Sequence, residues 1–226
     1  MKSLFIAYAL VSAHHLQENG IHVGDSEFGV GTVTCSEQQN LEFLDIPLTA
    51  GIRYMDMVAQ LEPGGDYEGW RIATIEEVKT LINLAHFTPP WDGIAQIHWS
   101  TVDISELVEL LGHTNSQESQ WLLRGFTSDA DPVTNNPGRI FIVDRDPAGT
   151  FDPDDPYTDD GVPNDFVELW FDLQRNVSSG QTGFFLVREM EHDDHPAEPK
   201  TYTVNLQIKG STGTVLYTIE GTIDEG

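Results

Sequence analysis

Residues 69–82, GWRIATIEEVKTLI, constrain the fold more than any other part of the sequence. Thr74 is a favourable helix N-cap and Glu77 stands three residues later, so the pair predicts a capping box. The acidic residues after the cap also suit the positive end of a helix dipole. Apolar residues then recur at three- to four-residue spacing, which predicts a helix with one buried face.

Trp70 and Arg71, just before this helix, are predicted to be structural. A buried tryptophan removes about 200 Å² from water, enough to dominate a small core. Arg71 is expected to pair with a carboxylate, with Asp45 and Glu189 as candidates, and so to tie the start of the helix to a sheet. A catalytic arginine is the alternative, but the sequence shows no nucleophile, general base or phosphate-binding loop to accompany it.

The remaining pattern places helices in the first half of the chain and strands in the second. Residues 52–61 and 102–112 have helical apolar spacing, whereas residues 29–48 and 121–190 contain strand-like segments. The loops between the later strands lack crossover helices, so antiparallel pairing is expected. We therefore predict an α+β fold with two or three helices and an antiparallel sheet, followed by a C-terminal β-hairpin at residues 200–226.

Three short motifs carry a resemblance to a known group of proteins. GWR at 69–71, AT at 73–74 and LVR at 186–188 resemble a pattern in exported bacterial domains of unknown function, many of which carry a PEP-CTERM sorting tail. The resemblance is dense over residues 41–82, sparser beyond them and absent after about residue 200. Phe43 stands where tryptophan is usual in that pattern, and the sequence shows no sorting tail.

These domains resemble the C-type lectin-like fold, a compact α+β domain with two helices, a long loop region and an antiparallel sheet. The resemblance thus implies such a domain over residues 28–190, together with export, and it implies no particular activity. The residues predicted to be structural within it are Trp70, Arg71, Thr74, Glu77 and Arg188.

The composition of the chain and its residues 1–13 limit where the protein is expected to be located and which partners it is expected to bind. The chain has 37 acidic and 11 basic residues, a formal net charge of −26, so nucleic acid and anionic membranes are unfavourable partners. Residues 1–13 combine Lys2, a short apolar run and small residues, which predicts a signal peptide. An ordinary buried strand or helix is the alternative. We expect a secreted or cell-surface protein, or a periplasmic one, without membrane insertion after signal removal. The single cysteine, Cys35, is expected to be buried.

The acidic segment at residues 144–165 is the strongest candidate for a functional site. It supplies many carboxylates together with prolines and glycines, and calcium binds about six to eight oxygens from flexible loops. The spacing does not fit the helix–loop–helix calcium motif. The alternative is a solvated acidic loop without an ion. The predicted metal ligands are Asp144, Asp146, Asp152, Asp154, Asp155, Asp159 and Asp160, with Asp165 at the end of the segment.

Two further groups of residues are candidates for binding. Trp91 and Trp99 lie in the predicted long loops between Phe87 and Asp165, where exposed rings could stack on a sugar or pack on a protein; a satellite core is the alternative. Residues 191–195, EHDDH, offer two imidazoles and several carboxylates. An exposed polar connector is the favoured interpretation of that segment.

These patterns predict an exported, non-enzymatic surface module that binds carbohydrate or protein and is stabilised by calcium. One alternative is a metal-dependent hydrolase on the same scaffold, which requires acidic and histidine side chains to converge on a pocket. The side chains concerned are Asp152, Asp155, Glu191, His192 and His195. The other alternative is a purely structural cell-surface component.

Overall fold

The computed structural model describes residues 16–93, 97–100, 102–117, 120–145, 165–190, 201–209 and 215–224. The chain divides into two compact units, Met1–Met190 and Glu191–Gly226. The first unit mixes helices and strands, which confirms the predicted α+β class. The predicted signal peptide, residues 1–13, lies outside the described residues.

The helices lie between residues 46 and 111, and strands both precede and follow them. A short 3₁₀ helix spans Ile46–Thr49, and the α-helices are α1 (Tyr54–Gln60), α2 (Ile75–Leu84) and α3 (Ser105–Leu111). The strands are β1 (Ile21–Ser26), β2 (Gly29–Ser36), β3 (Leu41–Leu44), β4 (Arg71–Ile72), β5 (Ile97–Trp99), β6 (Asn115–Gln117), β7 (Gln120–Ala130), β8 (Pro137–Asp144), β9 (Phe166–Trp170), β10 (Gly183–Phe184), β11 (Leu186–Glu189), β12 (Thr201–Lys209) and β13 (Val215–Asp224).

The first sheet has the strand order β1-β2-β3-β11-β4, and all of its pairs are antiparallel. β1 falls in a stretch whose polar residues gave no strand prediction. The reason is its position at the edge of the sheet, where Ile21 is its one buried residue. An edge strand with so little buried surface shows only a weak alternation of apolar and polar residues.

The second sheet has the order β10-β7-β8-β9-β5, and β6 pairs with β7. Its pairs are antiparallel, as predicted, except that β10 runs parallel to β7 at Gly183 and Phe184. β10 and β11 are separated by Phe185 alone, so the chain passes directly from the second sheet to the first. This short crossing makes the two sheets parts of one unit.

The larger hydrophobic core gathers buried side chains of the helices and of both sheets. Buried side chains of α2 and α3, such as Leu81 and Val108, cluster with Leu123, Ile142 and Val167 of β7, β8 and β9. The predicted buried stripe of α2 is present at Val78 and Ile82 and continues to Ala85. None of the helices in the described part of the chain is long and apolar enough to span a bilayer.

The motif that opens α2 forms the capping box that the sequence predicts. The Thr74 hydroxyl accepts a hydrogen bond from the Glu77 backbone N–H, and a Glu77 carboxylate oxygen accepts one from the Thr74 N–H at 2.8 Å. Arg71 pairs with Glu77 at 2.6 and 2.9 Å, so the expectation of Asp45 or Glu189 as its partner is wrong. Glu77 reaches back to the cap, and this brings its carboxylate beside β4, where Arg71 lies.

Trp70 and Arg188 form a second joint beside the first. Trp70 is 4% exposed, and its indole N–H donates to Glu27 at 2.7 Å. The Arg188 guanidinium lies 4.4 Å from the centre of the Trp70 ring and donates to Glu27 and Glu42. Two glutamates and a tryptophan thus surround one arginine at the junction of β11 with its neighbours.

The second unit contains the antiparallel pair β12 and β13, whose register runs from Thr201 opposite Asp224 to Lys209 opposite Val215. This pairing is the β-hairpin arrangement expected at residues 200–226.

In the first unit Cys35 is buried, and burial raises the pKa of its thiol to about 11. That thiol is therefore protonated and unreactive at neutral pH.

Candidate metal centre

Three aspartates from separate parts of the chain meet at one end of the second sheet. Asp103 stands just before α3, Asp144 ends β8, and Asp165 stands just before β9. A carboxylate oxygen from each lies within 4.8 Å of the other two. Asp144 and Asp165 are fully buried, whereas Asp103 is exposed. We call these residues the aspartate cluster.

Strand pairing explains why Asp144 and Asp165 are neighbours. Val143 of β8 is the register partner of Phe166 of β9, so the two aspartates occupy the next positions beyond that pair. The chain leaves the sheet after Asp144 and returns to it at Asp165. Asp144 and Asp165 are 21 positions apart in the sequence, and the antiparallel pairing of β8 with β9 brings their side chains together.

Asp165 also connects β9 to the start of α3. Its carboxylate accepts hydrogen bonds from the Ile104 and Arg145 backbone N–H groups, both at 3.0 Å. Its backbone carbonyl accepts one from the Ser100 N–H at 2.7 Å. These bonds hold both flanking segments of the cluster in place, so its geometry belongs to the folded core rather than to a loop.

Asp103 lies on the exposed side of the cluster. One of its carboxylate oxygens accepts hydrogen bonds from the Ser105 backbone N–H, at 2.8 Å, and from the Ser105 hydroxyl. The bond places Asp103 directly at the first turn of α3. Because Asp103 is exposed, solvent reaches the cluster from this side.

The aspartate cluster could hold a metal ion. Gathering carboxylates at such distances is unfavourable because like charges repel and because burial removes their hydration. A bound cation offsets both effects. Carboxylate oxygens are hard ligands, which suit cations such as calcium, magnesium or manganese.

The cluster overlaps only partly with the ligand set predicted from sequence. Asp144 is common to both, and Asp165 closes the predicted acidic segment. Asp103 was missed because it lies outside that segment and only the fold brings it near. The other predicted ligands, Asp146, Asp152, Asp154, Asp155, Asp159 and Asp160, lie outside the described residues, as do residues 191–195.

The two predicted binding tryptophans have opposite environments. Trp91 is 1% exposed and lies in the larger core, which agrees with the core alternative and not with an exposed binding ring. Asn83 holds it there, since its side chain bonds the Trp91 backbone N–H and carbonyl at 2.8 and 2.9 Å. Trp99, on β5, is 47% exposed and packs against Phe166 with ring centres 5.0 Å apart.

A cavity of about 360 Å³ opens beside the capping box and is lined by residues that include Asn40, Arg71, Glu77 and Glu189. No member of the aspartate cluster lines it. Its main charged groups, Arg71 and Glu77, already form an ion pair. Burial by itself would raise the pKa of Glu77, but hydrogen bonds from Arg71 and Thr74 outweigh this effect and lower the pKa below its ordinary value. We therefore regard this cavity as part of the structural joint.

No family model, curated protein or solved structure matches this chain, so the proposed function depends on the residues described above.

Proposed function

We propose that the chain is an exported, non-enzymatic binding module whose aspartate cluster holds calcium. The observation that carries this proposal is the convergence of Asp103, Asp144 and Asp165 from three chain segments to within 4.8 Å. Calcium binds about six to eight oxygens in irregular geometry, so three carboxylates would supply its charge balance and part of its shell. Backbone carbonyls and water can supply the remaining oxygens.

The composition of the cluster favours calcium over the transition metals. In the described part of the chain this cluster contains carboxylates alone, whereas zinc sites in proteins are usually built from cysteine and histidine. Magnesium demands a near-ideal octahedron and keeps several of its waters. Ligands from a helix start and two strand ends have no such regular arrangement imposed on them, which suits calcium better.

The proposed ion would act as a clamp. Asp144 and Asp165 stand at the two strand ends between which residues 146–164 run, and Asp103 stands at the start of α3. A cation bound by all three would fix these strand ends to the helix. Binding surfaces are commonly carried by connecting segments that a rigid scaffold positions. The clamp therefore supports a binding role without taking part in chemistry.

The fold family, the location and the partner of the protein are proposed from its sequence. We propose a C-type lectin-like domain in the first unit, because residues 41–82 resemble that group and the unit is α+β. We also propose export to the cell surface or beyond, and carbohydrate or protein as the partner. The hydrolase alternative gains no support, since the residues that it requires lie outside the described part of the chain.

Thermal unfolding with added calcium tests the ion. A ligand that binds only the native state at 100 times its Kd adds about 2.7 kcal/mol to the free energy of unfolding. For a chain of this size we expect the Tm to rise by about 5–10 °C in calcium and to return with a chelator.

Asp144→Asn, which keeps the shape of the side chain, should abolish the calcium-dependent rise in Tm. Glu76→Gln provides the matched control, since Glu76 is an exposed carboxylate whose ion pair is with Lys79 on α2. It should leave the rise unchanged. An unaltered Tm in calcium for the wild-type chain would rule out the proposed clamp.

A further inference from the structure

Strand β5 forms one edge of the second sheet. It pairs with β9 on one side, and no strand in the described part of the chain pairs with its other side. The Ser100 N–H donates to the Asp165 carbonyl at 2.7 Å, which makes this position of the register a hydrogen-bonded pair. Bonded and unbonded pairs alternate along antiparallel strands, so the backbone N–H and C=O groups of Ile97 and Trp99 point away from β9. We call this side of Ile97–Trp99 the β5 edge.

The β5 edge lacks most of the features that keep edge strands from pairing with other chains. Those features include charged residues, prolines and β-bulges. Strand β1, at the edge of the first sheet, has two of them: the charged Asp25 and a register shift between Gly24 and Ser26. The sequence of β5 is Ile-His-Trp, and its register with β9 is regular. Its length of three residues limits an added strand to a few backbone hydrogen bonds, so side-chain contacts must contribute to binding.

Exposed apolar side chains border the β5 edge on the side of the sheet that faces away from the larger core. On β9, the side chains that alternate with the buried ones are Phe166, Glu168 and Trp170. The cross-strand partners of the first two are Trp99 and Ile97, which point to the same side. Ile97, Trp99 and Trp170 are 48%, 47% and 40% exposed. We call these five residues the β5–β9 strip. Contiguous apolar surface of this kind marks binding sites more often than single exposed residues do.

The β5–β9 strip is narrow because it ends at β8. On the same side of the sheet Arg139 and Val143 of β8 are buried, so a ligand has access to β5 and β9 alone. A narrow strip beside an unpaired edge fits an extended chain segment, whose backbone pairs with the edge and whose alternate side chains lie on the strip. The shape of the surface therefore indicates a peptide segment as its ligand.

Carboxylates outnumber basic groups around the strip. Glu168 lies within it, and the aspartate cluster, with its exposed Asp103, lies at one end of it next to Phe166. Against these four carboxylates Arg145 contributes one positive charge, with its guanidinium 5.2 Å from the centre of the Trp99 ring. A divalent cation in the cluster would still leave an excess of negative charge. Since the whole chain carries a net charge of −26, both the strip and the chain favour a basic partner and repel a second copy.

We propose that the β5 edge binds a basic, extended peptide segment of another protein by strand addition. The backbone of the segment pairs with Ile97 and Trp99, and an apolar side chain packs against the Trp99 ring. An arginine or lysine reaches across Ile97 towards Glu168, whose strand lies about 10 Å from the added one, two strand spacings away. In this mode main-chain hydrogen bonds provide affinity and side-chain contacts provide specificity. The inference rests on the proposed binding role and specifies its partner.

Calorimetric titration of a defined peptide into the full-length chain tests the proposal. In the peptide, which is blocked at both ends, threonine alternates with arginine and valine in turn. Binding is expected both with chelator and with calcium, and it should weaken when salt is added because part of the attraction is electrostatic. The same peptide with glutamate in place of arginine should not bind. Absence of binding by the basic peptide would overturn the proposal even if calcium raises the Tm, whereas binding without a calcium-induced rise in Tm would contradict the clamp alone.

N-methylation of the peptide distinguishes strand addition from attraction of any basic chain. Each N-methyl group removes a backbone donor and blocks one edge of an extended peptide. Only one edge of the added strand faces β5, so methylation of alternate residues in one phase should weaken binding about tenfold or more. Methylation in the other phase should change the Kd less than about twofold. Equal effects of the two phases would rule out strand addition.

Variants of the chain locate the site. Ile97→Lys places a positive charge on the strip and should weaken binding of the basic peptide about tenfold or more. Val30→Lys is the matched control, because Val30 is 88% exposed on β2 and the change in charge is the same; it should change the Kd less than about twofold. Glu168→Gln should weaken binding about twofold to fivefold, the effect of an exposed ion pair. Circular dichroism confirms that each variant is folded. Equal weakening by the two lysine variants would show a general charge effect and overturn the β5 edge as the site.

Discussion

The structural joint consists of Trp70, Arg71 and Arg188 together with Glu27, Glu42 and Glu77. Both this joint and the aspartate cluster concentrate charge, but they balance it differently. At the joint, Arg71 and Arg188 meet Glu27, Glu42 and Glu77, so the chain supplies both signs. At the cluster, three carboxylates converge. A group of opposite charges satisfies itself and stabilises the fold, whereas converging carboxylates repel one another and are stabilised by a bound cation. The balance of charge thus distinguishes a structural joint from a candidate binding site.

The largest effect on stability is expected when the Trp70 ring is removed from the structural joint. Trp70→Ala removes a 4% exposed side chain and the bond to Glu27, so it should lower the free energy of unfolding by about 3–5 kcal/mol. Denaturant unfolding followed by circular dichroism measures the change. Trp99→Ala is the matched control and should change it by less than about 1 kcal/mol, because Trp99 is half exposed. Equal losses in both variants would contradict the structural role of Trp70.

Asp45 provides an intermediate case, a partly buried carboxyl just after β3 whose charged form is disfavoured by burial. Burial raises its pKa to about 6, and its Oδ1 accepts no hydrogen bond from the described residues. The native state therefore holds this proton more tightly than the unfolded chain. The contribution of Asp45 to stability improves as pH falls through 6 towards its unfolded value of about 4.

Asp45→Asn should accordingly stabilise the protein at pH 7.5 by up to about 3 kcal/mol, the free energy that corresponds to such a pKa difference. The gain should shrink steadily and vanish near pH 4. Unfolding curves of both chains from pH 4 to pH 8 measure it. A gain that does not depend on pH would show that the substitution acts through packing rather than charge.

The smallest effect is expected for the paired carboxylate at the capping box. Glu77→Gln keeps the shape of the side chain but weakens the pair with Arg71, and it should lower the free energy of unfolding by about 1 kcal/mol at pH 7. The pKa of Glu77 is lowered in the folded chain, so this loss should disappear as pH falls below that pKa. The pH dependence is thus opposite in sign to that of Asp45→Asn, and unfolding curves at pH 3 and pH 7 test it. The same sign for both variants would contradict the distinction between paired and unpaired carboxylates.

The fold could be predicted from sequence where contacts are short in range. The capping box joins residues three apart, and the apolar spacing of α2 repeats within single turns. Strands with alternating or continuous apolar residues were predicted for the same reason. β1 was missed because an edge strand buries little, and the parallel pair of β10 with β7 was missed because no local pattern encodes a partner strand.

The candidate sites depend even more on contacts between residues that are far apart in the sequence, which the sequence alone does not predict. Acidic composition pointed to residues 144–165, and Asp144 and Asp165 do belong to the cluster. Asp103 could not be inferred, since its nearest partner in the chain is 41 positions away. Trp91 and Trp99 are the same residue type eight positions apart, yet one is buried and the other half exposed. Trp91 packs into the larger core, whereas Trp99 lies on β5, at the edge of the second sheet.

The sequence by itself determined the α+β class, the capped start of α2 and the strongly acidic character of the chain, because propensity, capping and net charge depend on residues close together or on sums over all of them. Only the tertiary structure decided which carboxylates meet each other and which meet an arginine. Arg188 reaches Glu27 across 161 positions, and Arg71 selects Glu77 over the two predicted partners. Contacts of this kind arise when strands pair and helices dock, and no local pattern records them.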